Sequence, residues 1–287
     1  MIISTNWPAP AKINLFLHII GRRSDSYHDI QTLFQFIDLY DRLDFVIRDD
    51  GIITRRSHLI GVDEKEDLVV LAAKLLQKHC AVKLGVDITV NKNIPMGAGL
   101  GGGSSDAATV LVALNFLWGL DLSLQELAEL GLKLGADLPV FIHGRSAWGE
   151  GVGENLSFCE PDVGPIVLVT PAVTVATAQI FADLELTRDT KPIKMHDFSM
   201  ELSHNDCQPV TCRLYPEVAE ALCWLSHFGA AKMSGTGATV FMSVGSSLDA
   251  GNIFKALPKH WQGHLGVRMN KSPLLTRLQK EMKKGKI

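Results

Sequence analysis

Near the start of the chain, Ile13, Leu15, Leu17 and Ile19 alternate with Asn14, Phe16 and His18, the period of two expected of a strand, and Gly21 ends the run. Phe45 to Ile47 and Val86 to Val90 read as further strands. Between them the period lengthens. Leu68 to His79 carries apolar residues at helical spacing behind Asp67, an N-cap candidate whose carboxylate can accept from first-turn N–H groups. Ser105 to Trp118 is apolar on nearly every face, which predicts a buried helix closed by Gly119. Ser123-Leu124-Gln125-Glu126 is a capping box that opens another helix to about Leu134, with Gly135 at its end.

The second half has a different rhythm. The pattern predicts a strand at Ile166 to Val169, a helix at Pro216 to Leu225 and a short strand near Ala230. A strand at Thr239 to Val244, a helix at Ser247 to Leu257 and a last strand at Leu265 to Met269 follow. That order, β-α-β-β-α-β with a long insertion after the first strand, is the split βαβ of ferredoxin-like folds. Pro161, Gly164 and Pro165 cluster at the change of rhythm. The chain is therefore read as an α+β protein of two domains, 1–160 and 161–287.

Composition narrows the class of function. Apolar residues make up 46% and charged residues 21% of 287 positions, enough for one large core or two modest ones. The formal net charge is −3 and no segment interleaves basic and aromatic residues, which argues against a nucleic-acid partner. The basic cluster Lys280, Lys283, Lys284 and Lys286 reads as a solvated, frayed tail. Five scattered cysteines without a C-x-x-C pair read as reduced thiols. No stretch approaches the roughly 18 apolar residues of a membrane span. The expectation is a cytoplasmic protein without a membrane partner, a monomer or a weak homodimer.

The chemistry is most legible between Pro95 and Asp106, in Pro95-Met96-Gly97-Ala98-Gly99-Leu100-Gly101-Gly102-Gly103-Ser104-Ser105-Asp106. This run links a predicted strand to the start of the buried helix. Its glycines remove Cβ atoms that would hold a ligand off the backbone, and the helix start offers free N–H groups. Ser104 and Ser105 are placed to cap that helix or to meet a phosphate or metal. A glycine-rich turn with a serine cap is the plainer reading for one or two glycines, but the density of five glycines in seven residues weighs against it. Gly97, Gly99 and Gly102 formally fit the dinucleotide motif G-x-G-x-x-G, but a helix and a capping box stand where the second strand and its acid belong. That weighs against an oxidoreductase. A Walker loop needs a Lys where Gly103 sits, and protein-kinase signatures are missing.

The loop is similar to the second motif of the GHMP kinase superfamily. Pro10-Ala11-Lys12-Ile13-Asn14-Leu15 and Met233-Ser234-Gly235-Thr236-Gly237-Ala238-Thr239 stand where two further motifs belong. Tyr27-His28 and Gly135-Ala136-Asp137-Leu138-Pro139 bring the resemblance nearest to the branch that acts on a cytidine diphosphate-linked methylerythritol, in the non-mevalonate route to isoprenoids. It runs from Pro8 to about Phe241 and weakly on to Pro273. One departure is Ser26, where that branch usually has Gly.

The resemblance implies a two-domain kinase with an N-terminal ribosomal-protein-S5-like domain and a C-terminal ferredoxin-like domain. It implies ATP with Mg²⁺ as phosphoryl donor, a sugar-alcohol hydroxyl as acceptor, and no identified protein ligand for the metal. Asp137 alone could be the N-cap of a short helix; the resemblance makes it the base. Lys12 alone could be a solvated strand-end lysine; the resemblance turns it toward Asp137 and the transferred phosphate, with Asn14 as a polar partner. Residues 95 to 105 become the ATP loop. Tyr27 and His28 could be ordinary loop residues, but by resemblance Tyr27 and Phe181 enclose cytosine while His28 meets its edge, with Thr177 as a further contact. The Ser234 to Gly237 turn, a natural hairpin, is implied to lie beside the glycine loop. Glu66-Asp67-Leu68 corresponds loosely to adenine contacts. A mevalonate, homoserine or sugar kinase is the alternative within the superfamily.

Overall fold

The computed structural model describes residues 2–57, 66–201 and 203–284. The first half runs β1 (Ile3–Arg22), β2 (His28–Arg48), β3 (Ile53–Arg55), α1 (Leu68–His79), β4 (Gly85–Asn91) and α2 (Gly102–Leu117). It continues as α3 (Leu124–Leu132), α4 (Leu138–His143), β5 (Ala147–Glu150) and β6 (Asn155–Phe158). The second half follows as β7 (Gly164–Thr170), α5 (Thr177–Ala182), α6 (Cys207–Leu214), α7 (Pro216–Ser226) and β8 (Lys232–Met233). β9 (Val240–Ser243), α8 (Ser247–Lys255), β10 (Gln262–Met269) and α9 (Pro273–Lys284) complete it.

β1 is longer than the alternating run predicted, and Trp7 through Ile19 is buried without a break. The alternation separates two buried faces, not core from solvent. Trp7 and Ala9 enter the core that α1 to α4 cover, Ala11, Ile13 and Leu15 enter a middle cluster, and Leu17 and Ile19 enter the core of the second half. β-bulges between Pro10 and Lys12, and between Asn14 and Leu17, turn the strand as it passes from one core to the next.

One edge of β2 is taken by β1; the other is shared by β5 at Thr32 to Phe34, β10 at Phe36 and Ile37, and β4 at Arg42 to Arg48. Only its end was recognisable as a strand, because polar residues interrupt the apolar pattern. Neighbouring loops pair them in part: Gln35, fully buried, donates its Nε2 to Asp162 O at 3.0 Å and Asn270 Oδ1 at 3.1 Å. Asp41 accepts from the N–H of Ile94 at 2.8 Å and from Lys92.

In the second half the strands lie in the antiparallel order β10-β7-β9-β8, so the four strands of the split βαβ stand as fourth, first, third, second. Val167, Val169 and Val240 of this sheet pack with Val218 and Leu225 of α7 and Ile253 of α8. The long insertion after β7 holds α5, α6 and a short 3₁₀ turn at Met195–Asp197. β10 also bonds to β2, which makes one sheet of both halves. The 160/161 division falls in the loop between β6 and β7.

Local signals held where they were strongest. Asp67 accepts from Val69 N–H at 2.9 Å, and Ser123 and Glu126 exchange both capping-box bonds. Such caps contribute about 1 kcal/mol each. The C-terminal basic residues are not a frayed tail. Lys280, Lys283 and Lys284 lie on α9, which buries Leu274 and packs Leu278 against the first core; Lys286 is outside the described residues. The five cysteines are unpaired. Among the described residues no helix is long and apolar enough to cross a membrane.

Candidate active site

A cleft of about 880 Å³ opens between β1, the loop before α2, the start of α1, α5 and the turn at Gly235 and Thr236. Its size suits two small substrates held side by side.

Pro95, Met96, Gly97, Ala98 and Gly99 line one wall, and Gly101, Gly102, Gly103 and Ser104 carry it into the first turn of α2. Among the described residues no side chain caps α2, so its first N–H groups are available to an anion. Two expected nucleotide contacts turn away. Leu100 is buried in the middle cluster, and its carbonyl accepts the Lys12 N–H at 3.0 Å. Ser105 is fully buried, donating its hydroxyl to Pro10 O at 2.6 Å and its N–H to Gly101 O at 2.8 Å, which leaves it no donor for phosphate.

The glycines also have a different cause from the one the sequence suggests. Gly97, Gly99 and Gly101 have φ of 60°, 73° and 70°, the left-handed region. A Cβ on Gly97 would strike the Thr174 side chain, one on Gly99 the Ser234 carbonyl, and one on Gly101 the Phe141 ring at 2.7 Å. Close packing of protein on protein demands these three. Gly103 alone of the run meets only a Leu68 methyl, at 3.7 Å.

Lys12 reaches the cleft from a buried strand. The bulge beside it releases its N–H to the loop, and its side chain crosses the cleft floor over the Phe34 ring. Nζ donates to Asn14 Oδ1 at 2.6 Å and lies 3.4 Å from Asp137 Oδ2. Asn14 is held in turn, its Nδ2 donating to Thr32 Oγ1 at 2.8 Å. Asp137 stands at the N-cap position of α4 yet makes no capping bond. Its carboxylate, one-third exposed, turns to Lys12 and the cleft instead.

The second half supplies the opposite wall. Ser234 Oγ donates to Gly99 O at 2.9 Å and accepts the Asn14 N–H at 3.2 Å, so the Ser234 to Gly237 turn is clamped on the glycine loop. Thr177 Oγ1 lies 3.0 Å from Thr236 Oγ1, tying α5 to that turn. Phe181 of α5 stacks on His28, centroids 5.2 Å apart. Tyr27, 61% exposed, lines the cleft mouth. It follows Ser26, whose φ of 71° is the left-handed conformation that a glycine adopts freely.

Residues 67–145 match the profile described as GHMP kinases N terminal domain, and residues 193–263 match GHMP kinases C terminal. The chain is 52% identical to the 4-diphosphocytidyl-2-C-methyl-D-erythritol kinase of Nitrosococcus oceani over 96% of this chain and 98% of that protein. It is 50% identical to the enzyme of the same name from Shewanella loihica, over 96% and 97%. A crystal structure of 4-(cytidine 5'-diphospho)-2C-methyl-D-erythritol kinase superposes with a TM-score of 0.78 at 32% identity, covering 93% of this chain and 99% of that one. This chain belongs to the 4-diphosphocytidyl-2-C-methyl-D-erythritol kinase family. Mevalonate kinase, at TM-score 0.65 and 18% identity, shares the fold.

Three charged groups in or behind this family member's cleft escaped the sequence reading. Lys92 bridges Asp41 and Asp106, the latter at 2.8 Å. Burial pushes the Asp106 carboxyl up to about 7, against the pull of Lys92. Arg55 pairs with Asp67 at 2.7 Å, so Asp67 serves α1 and Arg55 together. Arg188, behind the cleft wall, donates to His28. None sits in a short motif; each has its partner 12 or more residues away in sequence, which periodicity cannot show.

Proposed function

We propose that the chain transfers the γ-phosphoryl group of ATP to the 2-hydroxyl of 4-diphosphocytidyl-2-C-methyl-D-erythritol, giving the 2-phosphate and ADP, a step of non-mevalonate isoprenoid precursor synthesis. The observation that carries this reading is Asp137, a carboxylate that forgoes its helix-capping bond to stand 3.4 Å from Lys12 at the cleft floor.

Phosphoryl transfer asks the protein for position and charge compensation more than covalent chemistry. Asp137 accepts the hydroxyl proton as the oxygen attacks phosphorus, and ADP leaves with the electron pair of the broken P–O bond. Lys12, fixed by Asn14, offsets charge on the phosphoryl oxygens. The N–H groups at the start of α2 hold the phosphate chain. Mg²⁺ accompanies ATP and supplies further charge compensation. Among the described residues no group of three or more His, Cys, Asp or Glu could hold a metal ion. Ser104 and Asp137, which line the cleft, would offer it oxygen donors beside the phosphates and water. His28, Tyr27, Phe181 and Thr177 receive the cytidine end. The enzyme acts in the cytoplasm on small molecules alone, as a monomer or weak homodimer.

Coupled ADP release tests the assignment. Turnover is expected with 4-diphosphocytidyl-2-C-methyl-D-erythritol and background rates with mevalonate, homoserine or galactose. Faster turnover of one of the latter three would replace the acceptor.

A further inference from the structure

His28 has a partner that nothing in its motif announces. Arg188, 160 residues further along the chain, approaches the imidazole from behind the cleft wall, and its Nε donates to His28 Nε2 at 3.0 Å. The rest of the guanidinium is equally committed: Nη1 donates to Leu186 O at 3.0 Å, and Nη2 to Phe181 O at 3.1 Å and Asp183 O at 2.7 Å. One side chain therefore fixes the end of α5, the Phe181 ring that stacks on His28, and the imidazole itself.

The chemistry of that bond is one-directional. A guanidinium has only donors, so Nε2 must offer its lone pair, and the neutral ring then carries its proton on Nδ1. Nδ1 has no hydrogen-bond partner among the described residues, and His28 lines the cleft while Arg188 does not. The side chain thus presents a donor to whatever base enters. Cytosine and uracil differ at this point: N3 of cytosine accepts, whereas N3 of uracil carries a hydrogen.

Resting on the proposed function, we propose that Arg188 is a positioning residue for base selection, locking His28 as the Nδ1–H tautomer so that the subsite accepts the N3 lone pair of cytosine and rejects the N3–H of uracil. Burial and the neighbouring Arg188 and Arg22 charges hold the His28 pKa below its ordinary value, which keeps the ring neutral as this role requires. The chemical class recognised is a pyrimidine whose ring nitrogen is an acceptor.

Nitrogen-15 NMR of the unliganded protein reads the tautomer without any turnover. The Nδ1–H pattern is expected for His28 in the wild type and a mixture in Arg188→Met; an Nε2–H ring in the wild type overturns the proposal. Steady-state kinetics with cytidine and uridine forms of the acceptor read the consequence. Arg188→Met should lower the cytidine-to-uridine ratio of kcat/KM by about tenfold or more, mainly through KM for the cytidine form, because a site built to pair a polar group rejects the wrong partner through it. Arg188→Lys, which keeps a charge but not the fork, should fall between and serves if the Met variant does not fold. In a His28→Ala background Arg188→Met should cost little further selectivity. An equal loss with and without His28, or full selectivity in Arg188→Met, contradicts the proposal. A wild type showing the Nδ1–H ring but turning over neither acceptor overturns the proposed function and the base assignment while leaving the Arg188–His28 lock standing.

Discussion

At the scale of single residues, Asp137 shows how a side chain's partner separates two readings of one position. A capping aspartate accepts from the helix N–H groups; this one does not, and faces Lys12. Asp137→Asn keeps the shape and removes the base, so turnover should fall by about 10²-fold or more while thermal stability changes little; near-normal turnover in a folded variant would contradict the role. Ser26 makes a second point. A left-handed non-glycine residue costs roughly 1–2 kcal/mol locally, so Ser26→Gly should raise the resistance of the 23–28 turn to proteolysis without lowering activity. Slower turnover with a looser turn would mean that the serine stiffens the base pocket.

Elements explain what was legible. α1 and α3 were readable to within a residue or two because their caps and apolar faces are local: Asp67, Ser123 and Glu126 act within three residues. β2 was read only at its end because Gln35 and Asp41 look like solvent residues until β10 and the loop before α2 arrive to bond them. The site was legible where motif residues touch it, as at Lys12, Asn14 and Asp137, and illegible at Arg188 and Lys92, whose partners come from distant segments. The glycine loop was recognised for a partly wrong reason, and that changes its test. A side chain at Gly99 would strike the second half at Ser234, and one at Gly101 the Phe141 ring, so either damages packing before it reports on ATP. Gly103→Val is the sharper probe. Its Cβ meets only the Leu68 methyl, at an ordinary van der Waals distance, so ATP affinity measured by calorimetry should fall about tenfold or more while the melting temperature holds. Unchanged affinity would move the phosphates away from the start of α2.

At the scale of the whole molecule, two cores meet across β1 and one continuous sheet, and the cleft lies along that seam. The seam contains His18, buried with no hydrogen-bond partner among the described residues on either ring nitrogen, against the rings of Phe16 and His204. Burial first, then His204, lowers its pKa; Asp206 opposes and Lys232 assists. A histidine lowered in the fold contributes stability that is present above its ordinary value of about 6.5 and is lost as pH falls through the folded value. His28 and His143 act in the same sense, each chiefly through burial. Asp106, raised to about 7, acts oppositely, its contribution being lost as pH rises through that value. His18→Leu, of similar volume, should therefore flatten the fall in melting temperature from pH 7 to 5 relative to wild type, Asp106 being common to both. An unchanged slope would show that His18 does not titrate against folding.

The central claim is that the Lys12–Asp137 centre moves a phosphoryl group from ATP to the methylerythritol 2-hydroxyl. Phosphorus-31 NMR of wild type and Asp137→Asn, each mixed with MgATP and 4-diphosphocytidyl-2-C-methyl-D-erythritol, tests it most directly. Loss of the γ-phosphate signal matched one-for-one by a new phosphomonoester on carbon 2, in the wild type and not in Asp137→Asn, is the predicted result. Inorganic phosphate in place of that ester, or equal ester formation by both proteins, would contradict it.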